Sequence, residues 1–212
     1  MILIGMFDSP FVRRVAVSMN LLAIPFEHRN WSVGRDFELI RQFNPLGRVP
    51  ALVQADGDTL IESSAILDFL DEQVGPERAL LPRSGELRRD ALRVIATAVG
   101  GAEKGVTQVY ETAFRPPEKR YRPWVERCHA QTHAALAELD RLCQLRGDEW
   151  LVGDRMTQAD ITATCCYTFL SDALGLNRDA IVYPALAAVA ARCEALPAFQ
   201  SVKADWFAPG DA

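Results

Sequence analysis

Three short stretches carry residue types and spacings that can do chemistry. Ser9-Pro10 places a hydroxyl at the start of a helical pattern, with proline in the first-turn position where its missing N–H does no harm. Glu62-Ser63 puts a carboxylate and a hydroxyl where another helix opens. A helix N-terminus carries unpaired N–H groups and partial positive charge, a seat for a carboxylate, and Glu62 beside it can accept from an ammonium. Arg48-Val49-Pro50 stands just before the apolar run Ala51-Leu52-Val53, as in a fold that pairs its own backbone with a bound peptide. Arg48 suits bidentate contact with a carboxylate, and reads equally as a solvated surface charge. Each stretch also has a plain structural reading: a capping serine, an exposed glutamate, a turn before a strand.

The remaining candidates carry less. His129 and His133 form an i, i+4 pair without the HExxH pattern of a helical zinc site, so a solvated helix face is expected and no metal. Five cysteines, Cys128, Cys143, Cys165, Cys166 and Cys193, fall in helical patterns with no CxxC. An odd count in that setting argues for small buried hydrophobes and against a disulfide framework.

The elements that must position these residues change character along the chain. Ile2 to Gly5 reads as a short apolar strand. Ser9 caps a helix whose Val12, Val15, Ala16, Met19, Leu22 and Ala23 face a core, with Arg13, Arg14 and Asn20 on the other side. Phe26 to Trp31 alternates as a second strand, completing a βαβ unit. A weaker helix over about 36–43 ends at Asn44-Pro45-Leu46-Gly47. Ala51 to Gln54 and Thr59 to Ile61 flank the turn Ala55-Asp56-Gly57-Asp58 as a hairpin. Ser63 or Ser64 then caps a helix buried through Ile66, Leu67, Leu70 and Val74. The expectation is a small α/β layer with a mixed sheet over residues 1–76.

Breakers at Gly75-Pro76 and Pro82 to Gly85 mark a linker over 77–85, and 86–212 reads as all helical. A long helix from Glu86 to about Phe114 contains Gly100-Gly101 and Gly105, where it bends or packs closely. Tyr121 to Leu145 is a second long helix. Thr157 and Asp160 stand at N-cap and N3 of a third, with Met156 and Ile161 at the staple positions. Shorter helices follow near 184–196 and 197–203.

Composition bounds the rest. The chain has 212 residues with net charge −5, which shows no nucleic-acid footprint. No apolar run is long enough to span a bilayer and no signal-peptide pattern is visible, so a cytoplasmic protein is expected.

These motifs, with Ala79-Leu80-Leu81-Pro82, resemble the glutathione S-transferase family over essentially the whole chain: a thioredoxin-like half, then a helical half. The resemblance implies a cis Pro50 and a Val49 main chain that pairs with the cysteinyl part of glutathione. It implies the γ-glutamyl end at Glu62-Ser63 and the glycyl carboxylate near Arg48. Ser9 is then the serine-type catalytic hydroxyl that donates to the sulfur and favours thiolate. It also caps the helix, and one hydroxyl proton cannot serve two acceptors. No early cysteine or strand-end tyrosine competes for the role. Asp8-Ser9-Pro10 departs from the Ser-Ser-Cys run of the isomerase branch and argues against that activity.

The implied function is conjugation of glutathione to a small, largely apolar electrophile, with glutathione-dependent peroxidase side activity. The alternative is a non-catalytic glutathione-binding or regulatory module. Phe7, Phe11, Tyr110 and Phe114 are candidates for the electrophile pocket, with Trp206-Phe207 as a cover. A homodimer and no cofactor beyond glutathione complete the expectation.

Overall fold

The structure, a computed structural model, describes residues 1–147, 149–176 and 182–206. Its first half is built on four short strands, β1 (Ile2–Ile4), β2 (Glu27–Arg29), β3 (Ala51–Val53) and β4 (Thr59–Ile61). They lie in the order β2-β1-β3-β4. β1 runs parallel to β2, with Leu3 opposite His28. β3 is antiparallel to both neighbours, Leu52 facing Leu3 on one side and Leu60 on the other. Period-two alternation sorts the side chains between two faces. Leu3 and Leu52 point into the main core with α1 (Pro10–Leu21) and α3 (Ser63–Val74). Ile4, Ala51 and Val53 pack on the other face against Ile40 of α2 (Phe37–Arg41).

The second half is helical throughout its described residues: α4 (Gly85–Ala113), α5 (Arg122–Arg146), α6 (Gln158–Leu174), α7 (Pro184–Glu194) and α8 (Pro197–Gln200). The glycines of α4 serve close packing. A Cβ at Gly101 would lie 2.8 Å from the Ala135 Cβ of α5, and one at Gly105 would lie 2.2 Å from Leu170 Cδ2 of α6. α6 opens on the expected capping box: Thr157 accepts from Ala159 N–H at 3.2 Å, and Asp160 accepts from Thr157 N–H at 2.9 Å. One cluster of buried apolar side chains runs from Leu3 through α1, α4 and α6 to Val202, so the two halves share a core. Among the described residues no helix is long and apolar enough to cross a membrane.

Two sequence expectations fail in α1. Ala23 does not face the core; it lies past the helix end, exposed, at φ 55°. More consequentially, Arg13 and Arg14 are buried, 4% and 0% exposed, because the helical half covers the side of α1 that the first half leaves open. Arg13 forms a fork with Glu194 at 2.6 Å for both nitrogens, and Nε donates to the Val202 carbonyl at 3.2 Å. Burial opposes ionisation of Glu194, yet the Arg13 guanidinium and the Thr168 hydroxyl hold its pKa below the ordinary carboxylate range. All five cysteines are buried, and burial pushes the Cys143 and Cys166 thiols up to about 12 and that of Cys193 to about 11.

Candidate functional site

The turn between β1 and α1 depends on Gly5. Its φ is 129°, and a Cβ there would lie 2.5 Å from Val12 Cγ2 and 2.8 Å from Val49 Cβ. Glycine alone lets α1 and the Val49 loop converge on the end of β1. That loop is tied by Asn44, 2% exposed, which donates to the Arg48 carbonyl at 2.7 Å and accepts from Leu46 N–H at 3.0 Å. The Val49–Pro50 bond is cis. Among the described residues the Val49 N–H and C=O have no main-chain partner, so both are open to an added strand.

A cavity of about 650 Å³ lies between the halves. Of the sequence candidates, Ser9, Phe11, Arg48 and Val49 line it from the first half, and Tyr110 of α4 and Phe114, the C-cap of that helix, line it from the second. The Tyr110 and Phe114 rings meet edge to face at 5.2 Å. Trp206 also lines the cavity and packs edge-on against Phe169, 5.5 Å away. Phe207, its expected companion, lies outside the described residues. Phe7 is not on the wall. It stacks on the His28 ring, centroids 3.7 Å apart and 7° from parallel, while His28 Nε2 hydrogen-bonds the Gly5 carbonyl oxygen at 2.7 Å. Strand pairing brings His28 of β2 beside the β1 exit, and that face captures Phe7.

Ser9 caps α1 by accepting from Val12 N–H at 3.4 Å, a long bond. Capping uses the oxygen lone pairs and leaves the hydroxyl proton for another acceptor. The conflict expected between capping and donating therefore does not arise, since the two tasks use opposite ends of the hydroxyl dipole.

Glu62, Ser63 and Pro50 lie off the cavity wall. Glu62, and neither serine, caps α3: its carboxylate accepts from Ser64 N–H at 3.0 Å and from the Ser63 hydroxyl at 3.1 Å. It does so at φ 71°, a left-handed backbone that costs a non-glycine residue about 1–3 kcal/mol. Ser63 is 1% exposed, and its oxygen accepts from Arg14 Nη2 at 2.7 Å and Nε at 3.1 Å. Its proton is held by Glu62 and its lone pairs by Arg14. The exposed residues at the opening of α3 are Glu62, Ser64 and Ala65.

Asp8 is the ionisable wall residue beside Ser9, and sequence reasoning did not propose it for the site. Burial pushes its carboxyl up to about 6, while the N–H groups of Ser9 and of Asp8 itself pull it down. Tyr110 faces the same space: burial raises its hydroxyl pKa, Arg48 lowers it and Asp8 raises it. The sequence did carry a signal, an acidic residue directly before the hydroxyl of interest.

Two family profiles match the chain: "Glutathione S-transferase, N-terminal domain" over residues 3–78 and "Glutathione S-transferase, C-terminal domain" over residues 122–200. The mixed sheet with its helical second half is the fold of that class. A glutathione S-transferase of Methylobacterium radiotolerans JCM 2831, solved with glutathione sulfonate, superimposes with a TM-score of 0.88 at 29% identity, covering 97% of this chain and 95% of the other. A glutathione transferase family member from Pseudomonas fluorescens Pf-5, solved with bound glutathione, gives 0.83 at 28% identity, covering 97% and 99%. In sequence, the maleylacetoacetate isomerase of Pseudomonas aeruginosa is 31% identical over 197 residues, 88% of each chain. This chain belongs to the glutathione S-transferase family.

Proposed function

We propose that this protein is a glutathione transferase in which Ser9 stabilises the glutathione thiolate for attack on a small, largely apolar electrophile. The observation that carries the reading is the placement of a half-buried Ser9, its proton unused by the cap, on the same cavity wall as Val49. Glutathione would pair its cysteinyl main chain with Val49. Its glycyl carboxylate would lie toward Arg48, and its γ-glutamyl carboxylate at the first turn of α3, with Glu62 beside the ammonium. The binding of glutathione and its sulfonate by the two solved relatives supports this placement. Phe11, Tyr110 and Phe114 would hold the electrophile.

A hydroxyl donor and the nearby N-terminus of α1 both favour the charged sulfur, lowering a thiol pKa from its usual value of about 8.5. The relative named maleylacetoacetate isomerase supports a second reading. In it the thiolate adds to a conjugated double bond and the electron pair moves to the carbonyl oxygen; the former double bond rotates, and return of the pair expels the thiolate.

Ultraviolet titration of the thiolate in the glutathione complex tests the proposal. The expected outcome is a depressed pKa in the wild type that returns toward the free value in Ser9→Ala, together with loss of conjugation. A titration that matches free glutathione and ignores Ser9→Ala would leave a non-catalytic glutathione-binding module. Product analysis separates the two chemistries: conjugation consumes glutathione, whereas isomerisation returns it. A homodimer is proposed from the family resemblance, and sedimentation equilibrium checks it.

A further inference from the structure

We infer that Asp8 filters the second substrate by charge, so that the cavity takes neutral or cationic electrophiles and turns anionic ones away. The inference rests on the transferase reading and adds the class of compound that it accepts. Its basis is the charge arrangement around the cavity. Asp8 lies on the wall directly before Ser9, next to the place proposed for the sulfur. The charged and titratable groups facing it are Arg48 from the loop before β3, and Glu103, Lys104 and Tyr110 from α4.

Arg48 Nη2 sits 4.0 Å from Glu103 Oε1, so those two charges largely offset each other. Lys104 is also on the wall, and its ammonium lies over the ring of Trp124, which is not a wall residue, 5.4 Å from the centroid, where it keeps its charge. Tyr110 is neutral across the physiological range, its hydroxyl pKa raised chiefly by burial. Asp8 enters no ion pair among those of the described residues. Asp8 is therefore the wall charge that adjoins the proposed reacting position and has no ion partner among the described residues.

A carboxylate within reach of an incoming anion is a repulsive element that selects by exclusion. At an effective dielectric of about 20, two like charges roughly 10 Å apart repel by enough to weaken association about ten-fold. Burial raises the Asp8 carboxyl to about 6, so the wall is neutral in mild acid and anionic above. Bound thiolate and Asp8 titrate as a coupled pair, which moves full ionisation of the wall to still higher pH.

The test pairs two electrophiles of one shape, a chloronitrobenzamide and the matching chloronitrobenzoate. In both, the thiolate sulfur forms a C–S bond to the ring carbon and chloride leaves with the bonding electrons. At about pH 8, the wild-type kcat/KM ratio of amide to benzoate, divided by the ratio in free solution, is expected to reach about ten. It should fall toward one at about pH 5, and toward one at both pH values in Asp8→Asn, through a gain on the benzoate. A ratio near one in the wild type, or a preference that survives in Asp8→Asn, overturns the inference.

Binding of S-benzylglutathione against S-(carboxybenzyl)glutathione asks the same question without chemistry. If the wild type conjugates neither electrophile, the transferase reading fails, and the two binding constants still decide whether the wall rejects an anion. If Asp8→Asn does not fold, the wild-type binding ratio at the two pH values decides it.

Discussion

Two helix N-termini in this chain carry the same kind of signature and serve different ends. α6 opens on Thr157 with Asp160 in its first turn; α1 opens on Ser9 with Asp8 before it. At α6 the polar atoms of the cap are paired. Asp160 is 0% exposed and accepts from Thr157 N–H at 2.9 Å, from Leu151 N–H at 2.8 Å and from the Thr157 hydroxyl at 3.1 Å. At α1 the cap is one 3.4 Å bond, the hydroxyl proton is unused, and the acidic residue faces a cavity. A closed cap is a structural part, whereas a cap with hydrogen-bonding capacity left over, set in a cavity wall, can meet a ligand. The third N-terminus, α3, lies between the two, with Glu62 and Ser63 bound to each other and Arg14 behind them.

Substitutions at the two ends should separate stability from activity. Asp160→Ala has the largest expected effect. It leaves the N–H groups of Leu151 and Thr157 buried without acceptors, a loss on the order of 3 kcal/mol that urea denaturation would measure. Ser9→Ala should cost less than about 1 kcal/mol of stability, because its cap bond is long. It should nonetheless slow conjugation on the order of 100-fold, as loss of one donor to a reacting anion does. A stability loss at Ser9 equal to that at Asp160, with a proportionate fall in activity, would erase the distinction.

Thr157→Ala comes next, at about 1 kcal/mol with kcat unchanged once the folded fraction is accounted for. A pH dependence at Asp8 completes the series. Its carboxyl titrates at about 6 in the folded chain against an ordinary 3.8, so protonation favours the folded state. The stabilisation is complete below the unfolded value and is lost as pH rises through the folded one. Wild type should therefore lose stability relative to Asp8→Asn between about pH 4 and pH 6 and run parallel to it above that window. Parallel curves throughout would show that Asp8 is not perturbed.

Much of the fold was legible because its signals are local. Ser9-Pro10, Thr157 to Asp160 and the Asp-Gly turn act within one turn of backbone, and their geometry follows from chain connectivity. The cis bond before Pro50 came from resemblance, since the spacing of these residues does not distinguish it from trans. The site was legible in part. Ser9, Phe11, Arg48, Val49, Tyr110 and Phe114 line one cavity, while Phe7 turns to His28 and the Ser63 hydroxyl turns inward to Arg14. No local pattern records those two choices, which depend on which strand or helix arrives alongside.

Sequence alone determined the order of strands and helices, the caps at Ser9 and Thr157, and the family to which the chain belongs. Tertiary structure decided which of two adjacent hydroxyl-and-acid pairs is closed and which is open. It also decided that Arg13 and Arg14, set on the polar side of α1 by helical spacing, become the most buried charges between the halves. Arg14 meets Thr162, 148 residues away, and Arg13 meets Glu194 at a separation of 181. Periodicity reports the face of a helix, but burial is a property of what packs on that face. Here the covering element comes from the far end of the chain.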